Sequence, residues 1–237
     1  MTVTATLAAR KLAGAVAVGA LVAVATVSTS NAATVTIGLR EDGLGGITTV
    51  AGPTPSSASF SGTFGDYQVR VDGTAPPLLP APGALNTNNL DISTNAAGSH
   101  FLDVFITAQA ETFGAAVAAY FSAFTLNSTL GTVSTTMSTF LDPANGLFTT
   151  IIPLGSAGPF TTGPTTGTSL AAANCGGNCS ITAQYHVVTT GPASSNATIN
   201  VNAVPGPIVG AGLPGLLAAC FGLIALARRR RMNAALA

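Results

Sequence analysis

Ser57–Asp72 reads SASFSGTFGDYQVRVD, and this stretch carries the clearest fold signal in the chain. Apolar and polar residues alternate on both sides of Gly65-Asp66, with the two-residue period of a half-buried β-strand. A glycine followed by an aspartate between two such runs is typical of a tight turn. The stretch therefore predicts two antiparallel strands with one buried face.

Similar runs recur between residues 33 and 205, separated by prolines and glycines. Such spacing is typical of an antiparallel sandwich. Alanine-rich Glu111–Ala123 is compatible with a short helix, but its aromatic residues favour a strand. Gly73–Asn89, which holds four prolines, predicts a long surface loop. The other predicted strands are Thr34–Leu39, Phe101–Ala108, Phe121–Leu126, Gly131–Phe140, Leu147–Ile152, Ser180–Thr189 and Thr198–Val204. The predicted fold class is mainly β, a jelly-roll-like antiparallel β-sandwich formed by residues 33–203.

The charges of the chain are few and unevenly distributed. Charged residues make up 7% of 237 residues, against about 25% in ordinary soluble domains. With only 8 Lys and Arg, the chain is not predicted to bind nucleic acid, because phosphate contacts need cations. Residues 33–205 hold 2 arginines against 8 acids, a formal charge of −6, and the other six cations flank the two most apolar segments. Since lysine and arginine are retained on the cytoplasmic side of a membrane, this distribution predicts that the acidic middle is exported.

Residues 1–32 have the pattern of a secretory signal peptide. Arg10 and Lys11 precede an apolar run of 16 residues, and small residues predict cleavage between Ala32 and Ala33. An uncleaved membrane anchor is the alternative. That alternative is disfavoured because a membrane span needs about 20 residues.

Residues 208–227 form a second apolar segment, and 20 uncharged residues are enough to cross the lipid hydrocarbon as a helix. Four arginines follow at once, and they predict that residues 228–237 form a cytoplasmic tail. The four are Arg228, Arg229, Arg230 and Arg231. A buried core helix is the alternative. It is disfavoured because only six residues follow the arginines. The segment therefore predicts a transmembrane helix with membrane lipid around it.

Val204, Pro205, Gly206 and Pro207 precede the apolar segment, which contains a Gly-Ala-Gly-Leu-Pro-Gly-Leu run and ends at the arginines. This arrangement over residues 204–231 resembles the PEP-CTERM sorting signal, with Gly206 where the family has glutamate. The resemblance implies export across the inner membrane of a Gram-negative bacterium, an exosortase-type membrane peptidase as partner, and processing near the four-residue motif. It also implies a final place at the cell surface or in the extracellular matrix. A helix-packing face built from the glycines is the alternative.

Cys175 and Cys179 are the best local candidates for a structural site. The three residues between them include two glycines, so the two Cα atoms can approach to disulfide distance, and exported cysteines are usually oxidised. A metal pair or a redox dithiol is the alternative, with only His186 to assist. The sequence predicts a disulfide here and no metal or cofactor.

Clustered catalytic residues are not evident in the sequence. Ser99, His100 and Asp103 suggest a triad, but adjacent residues of a strand face opposite sides of the sheet. The eight acids are scattered, and two of them, Asp66 with Asp72 or Asp91 with Asp103, would form a glycosidase pair only if the fold brought them together.

Three tyrosines are the candidate aromatic platforms for a sugar: Tyr67, Tyr120 and Tyr185. The absence of tryptophan makes this signal weak. The sequence therefore predicts an exported, non-catalytic surface or biofilm protein associated with exopolysaccharide. A carbohydrate-binding module and a secreted hydrolase are the alternatives.

Overall fold

The computed structural model describes residues 33–43, 45–76, 83–112, 117–175, 177–205 and 220–221. These residues contain ten β-strands whose pairings are all antiparallel, so the predicted mainly antiparallel β fold is confirmed. The strands are β1 Thr34–Glu41, β2 Thr48–Pro55, β3 Ser57–Phe64, β4 Tyr67–Thr74, β5 Gly83–Thr94, β6 Ser99–Thr112, β7 Val117–Asp142, β8 Ile152–Phe160, β9 Thr165–Ala171 and β10 Asn178–Pro205.

The long strands β7 and β10 run through both halves of one continuous sheet. The N-terminal part of β10 pairs with β6 and its C-terminal part with β5, while β7 lines the other edge of β10. β8 pairs with the C-terminal part of β7, and β9 pairs with the N-terminal part. The β1 half therefore has the order β2-β1-β6-β10-β7-β8, and the β4 half has the order β3-β4-β5-β10-β7-β9.

Both long strands bend at a glycine in the left-handed backbone region. The φ angle is 76° at Gly131 of β7 and 73° at Gly191 of β10. The register between the two strands is interrupted here, between Thr190 and Ser194. A Cβ atom on Gly131 would lie 2.3 Å from the carbonyl oxygen of Pro192, so the two bends are in direct contact. The sheet folds over at these bends, and its two halves face each other.

The hydrophobic core lies between the two halves. The hydroxyl oxygens of Tyr67 on β4 and Thr189 on β10 are 2.9 Å apart, and those of Ser122 and Thr139 on β7 are 2.8 Å apart, so buried hydroxyls pair from one half to the other. The largest fully buried side chains are Tyr67, Tyr120, Tyr185, Phe124, Ile37, Leu39, Leu85, Leu90, Leu102, Ile106, Leu126 and Met137. Each half therefore has one face in the core and one outer face.

Two predicted elements are wrong. Leu147–Ile152 is not a strand: residues 143–151 form turns, in which Phe148 has a φ of 55° and its ring packs over Gly38. Gly73–Asn89 is not one long loop, because β4 extends to Thr74 and β5 begins at Gly83. The outer side of β5 is rich in asparagine rather than apolar residues, and β4 and β10 hold it by pairing with its two edges.

Strand ends also differ from the prediction in β7 and β10. Each was predicted as two strands, but each continues through its glycine, which bends the strand without ending it. The turn at Gly65-Asp66 is confirmed, while β2, β8 and β9 were not predicted.

The predicted signal peptide lies outside the described residues, as do the arginine cluster and almost all of the apolar segment 208–227. Across the described part of the chain, no helix has the length and hydropathy needed to cross a membrane. β10 continues to Pro205, two residues beyond the predicted end of the domain at residue 203.

Candidate functional site

Five polar side chains form a row across the outer face of the β4 half. Ser61 of β3, Arg70 of β4, Asp91 of β5, Asn196 of β10 and Ser128 of β7 lie directly opposite one another in turn. Because directly opposed residues share one face of a sheet, all five side chains point away from the core. We call these five residues the Arg70 row.

Amide side chains hold the centre of the Arg70 row in one orientation. The Nδ2 atom of Asn196 donates to Oδ1 of Asn89 at 2.7 Å and to Oδ1 of Asp91, and Nδ2 of Asn89 donates to Oδ2 of Asp91 at 2.5 Å. Asn127 donates to Oδ1 of Asn196 at 2.6 Å. These bonds use both amide hydrogens of Asn196, so its orientation is set before any ligand arrives.

The Arg70 row lines a groove of about 330 Å³, to which Gln68, Ser93 and Ser194 also contribute. The side chain of Arg70 is 65% exposed and lies 4.0 Å from the carboxylate of Asp72. An exposed ion pair at this distance contributes little to stability. The guanidinium of Arg70 is therefore available to a ligand.

A second groove of about 540 Å³ lies farther along β4, where Ala51, Gly52 and Thr54 of β2 also line it. It is lined by Ser59 of β3, Asp72 and Thr74 of β4, and Asn88 of β5. From Gln68 in the first groove to Thr74 in the second, β4 extends by about 20 Å at about 3.3 Å per residue. The two grooves follow each other along β4, and we call them together the polar track.

A second row of polar side chains crosses the outer face of the β1 half. Arg40 of β1, Asp103 of β6, His186 of β10 and Thr136 of β7 lie opposite one another in turn, and we call them the Arg40 row. Nε and Nη2 of Arg40 donate to Oδ2 of Asp103 at 3.1 and 2.7 Å, and Nδ1 of His186 lies 2.8 Å from its Oδ1. The carboxylate of Asp103 thus orients two neighbouring side chains.

Asp103 is only 2% exposed. Burial by itself would raise the pKa of Asp103, but the hydrogen bonds from His186 and Arg40 outweigh it and hold the pKa below the ordinary value. The ring centroid of Phe101 lies 5.3 Å from that of His186, and the guanidinium of Arg40 lies 5.7 Å from the ring centroid of Phe105. The Arg40 row is therefore centred on the ion pair of Arg40 with Asp103, with aromatic rings beside it.

His100 belongs to a different ion pair. Its Nδ1 lies 2.9 Å from Oδ2 of Asp42, and its Nε2 lies 3.1 Å from the carbonyl oxygen of Ala97. Because both neighbours are acceptors, both ring nitrogens donate in this arrangement. The hydrogen bond to Asp42 is the main cause of the raised pKa of His100. The triad of Ser99, His100 and Asp103 does not form, since Asp103 pairs with Arg40 and His186 instead.

Cys175 and Cys179 are joined by a disulfide, with Cα atoms 5.6 Å apart. The bond links Cys175, which precedes β10, to Cys179, the second residue of β10. Both cysteines are buried. Because the closed loop is short, the bond contributes little chain entropy and chiefly holds the start of β10.

Glu111 is a buried acid beside this disulfide, since it pairs with Cys179 across β6 and β10. Ala110 has a positive φ of 59° and donates its N–H to Oδ1 of Asn145, so β6 bulges here and turns Glu111 inward. Glu111 is 2% exposed, and its Oε1 has no hydrogen-bond partner among the described residues. Burial raises the pKa of Glu111 to about 8, so the carboxyl group is mostly neutral at pH 7.

The predicted sugar platforms are wrong. Tyr67, Tyr120 and Tyr185 are all fully buried, so none presents a ring to a ligand. Asp91 and Asp103, a glycosidase pair only if the fold brought them together, lie on the outer faces of different halves of the sheet and are not paired. Polar side chains rather than tyrosine rings are therefore the accessible groups on both outer faces.

The predicted processing sites lie at the two ends of the described domain. Ala33 is buried, and its carbonyl accepts the N–H of Ser56 at 2.8 Å. Val204 pairs with Ala119 just before the last pair of β10, Pro205 with Val117, and Val204 is 36% exposed. Ala32, Gly206, Pro207 and the four arginines at 228–231 lie outside the described residues.

Sequence reasoning missed the Arg70 row as a set. Arg70 and Asn196 are more than a hundred residues apart, and neither lies in a recognisable motif. The alternation of β4 places Arg70 on the outer face, but only the strand register brings it next to Asp91 and Asn196.

No protein-family model and no curated protein matches the chain. Among solved structures, the chain is similar to the carbohydrate-binding module TmCBM61 in complex with β-1,4-galactotriose, at 11% identity and a TM-score of 0.30, over 60% of this chain and 92% of that one. It is also similar to the enzymatically active domain of tailspike protein 4 of bacteriophage CBA120, at 12% identity and a TM-score of 0.32, over 60% of this chain and 20% of that one. A third similarity is to infectious bursal disease virus of the Gx strain, at 12% identity and a TM-score of 0.28, over 77% of this chain and 54% of that one. These values identify no family, so function has to be inferred from the side chains of this chain.

Proposed function

We propose that the chain is an exported, non-catalytic surface protein that binds an extended, neutral polysaccharide in the polar track. The observation that carries the proposal is the Arg70 row, in which Arg70, Asp91 and Asn196 stand side by side on an outer sheet face. The PEP-CTERM-like segment would deliver this domain to the cell surface or the matrix, with an exosortase-type peptidase and membrane lipid as its partners during export.

The chemistry of the track suits a ligand covered with hydroxyl groups. A sugar hydroxyl both donates and accepts hydrogen bonds, and the track offers both kinds of partner. The guanidinium of Arg70 and the amide of Gln68 donate, the carboxylate of Asp91 accepts, and serine hydroxyls do either. Because the network around Asn196 is already formed, binding loses little side-chain freedom.

The shape and charge of the domain favour a long, neutral polymer. A track of about 20 Å accommodates several units of a chain rather than one small molecule. The formal charge of −6 over residues 33–205 repels acidic polymers, and this repulsion is strongest at low ionic strength.

The proposal is tested by binding of the full-length protein to galactan, glucan, mannan and the acidic polymer alginate. We expect a neutral polymer to bind, and Arg70→Ala to weaken its binding about tenfold, or about 1.4 kcal/mol. Because Arg70 is 65% exposed, its removal should leave the melting temperature unchanged. Thr168→Ala is the matched control, since Thr168 is exposed on β9, outside the row, and should bind like the wild type.

Two results would contradict the proposed track. One is that no neutral polymer binds, or that alginate binds best at low salt. The other is that Arg70→Ala and Thr168→Ala bind equally well, which would place the contact elsewhere on the molecule.

The sorting part of the proposal has its own test. Deletion of residues 206–231 leaves β10 intact to Pro205, so the domain should fold while membrane sorting and C-terminal processing are lost. Mass spectrometry of the mature protein and cell fractionation measure both effects. Unchanged processing after the deletion would show that the segment is not a sorting signal.

A further inference from the structure

The two rows repeat one arrangement on opposite sides of the molecule. In the β1 half, arginine, aspartate, histidine and threonine follow one another from β1 to β6, β10 and β7. In the β4 half, arginine, aspartate, asparagine and serine follow one another from β4 to β5, β10 and β7. The two arginines of residues 33–205, Arg40 and Arg70, each lie two strands away from β10. Because the halves face each other through the core, the rows point in opposite directions.

The Arg40 row has the rigidity that a binding surface needs. Asp103 receives two hydrogen bonds from Arg40 and one contact from His186, so both side chains are held in place by the same carboxylate. This arrangement fixes the groups before binding, as the asparagine network does for the Arg70 row.

The Arg40 row also keeps free hydrogen-bonding capacity at the surface. The side chains of Arg40 and His186 are 34% and 42% exposed. The contacts with Asp103 use Nε and Nη2 of Arg40 and Nδ1 of His186, which leaves Nη1 and Nε2 for a ligand. The ring of Phe101 beside His186 adds an apolar surface that the carbon face of a sugar ring can cover.

We propose that the Arg40 row is a second polysaccharide site, and that the domain bridges two polymer chains with one site on each outer face. The proposal rests on the proposed function, since both sites would take the same neutral polyhydroxylated polymer. The charge on Asp103 is balanced by Arg40, which suits an uncharged ligand. A protein with two opposed sites would cross-link a matrix, whereas a protein with one site would only coat it.

The test compares single-site variants of the full-length protein. Titration calorimetry with hexasaccharides prepared from galactan, glucan and mannan counts sites per chain, and light scattering with the intact polymers detects cross-linking. We expect two sites of similar affinity in the wild type, and in both His186→Ala and Arg70→Ala one such site with the other weakened about tenfold. We also expect scattering to rise and fall with the ratio of protein to polymer in the wild type, and to fall at least tenfold in either variant.

His186→Ala should remain folded, because Asp103 keeps both hydrogen bonds from Arg40. Ser156→Ala, an exposed change on β8 of the same half, is the control and should keep two sites. One site in the wild type, lost in Arg70→Ala and kept in His186→Ala, would overturn the second site and leave the proposed function standing. Binding of none of the three polymers would overturn both proposals. Sedimentation of the sugar-free protein separates cross-linking by two sites from cross-linking by self-association.

Discussion

Glu111→Gln is expected to abolish most of the loss of stability that the wild-type protein shows as the pH rises from 4.5 to about 8. The folded protein holds the proton of Glu111 up to about pH 8, whereas an unfolded chain releases it near the ordinary value of 4.5. Between these values the folded state binds one more proton, so the free energy of unfolding falls by about 1.4 kcal/mol per pH unit. Over the whole interval the loss is about 5 kcal/mol. Glutamine cannot ionise and keeps the shape of the side chain.

Urea unfolding of the full-length protein at a series of pH values measures this effect. The variant should match the wild type near pH 4.5 and exceed it by several kcal/mol above pH 8. His100 changes stability in the same direction, because its raised pKa adds stability at low pH that is lost as the pH rises through the folded value. His100→Gln is therefore the second variant. It should leave the dependence of the free energy of unfolding on pH unchanged between pH 5 and 6, because the pKa of His100 is raised from 6.5. Parallel curves for Glu111→Gln and the wild type would show that folding does not raise the pKa of Glu111.

Gly131→Ala is expected to destabilise the protein by about 3 kcal/mol. The φ of 76° at this residue costs an L-amino acid about 1–2 kcal/mol. In addition, the new Cβ would lie 2.3 Å from the carbonyl oxygen of Pro192. That oxygen belongs to the backbone of β10, so relief of the contact requires a shift of the strand rather than of a flexible side chain.

Gly191→Ala is the matched control for this prediction. Its φ of 73° carries the same backbone cost, but no atom lies within 4 Å of the added Cβ. Thermal unfolding should therefore show a small decrease in melting temperature for Gly191→Ala and a decrease at least twice as large for Gly131→Ala. Equal decreases would mean that the two bends do not touch.

Several strands could be predicted from the sequence because their signal is local. The hairpin around Gly65-Asp66 and the strand from Thr34 have a clear two-residue alternation, and both are present. β5 could not be predicted in the same way, since a bulge between Thr87 and Leu90 breaks the alternation of its buried residues, and strand pairing with β4 and β10 continues across it. Phe148 illustrates the opposite case: an apolar residue that predicted a strand instead covers Gly38 from a turn.

The candidate site depended still more on distant parts of the chain. The sequence suggested Tyr67 and Tyr185 as sugar platforms because aromatic rings commonly bind sugars. Both are buried, because the alternation that exposes Gln68 and Arg70 points Tyr67 into the core. Recognition of Arg70 and Asn196 as neighbours requires the pairing of β4, β5 and β10.

The sequence alone determined where several strands lie, which residues of each face water, and that residues 33–205 carry a formal charge of −6. These properties depend on composition and on residues that are close together along the chain. The tertiary structure decided the strand register, the bends at Gly131 and Gly191, and the burial of Glu111 by the bulge at Ala110. These features were not evident in the sequence, because each depends on contacts between residues far apart in the chain, and a shift of one residue in register would move every side chain of a strand to the other face.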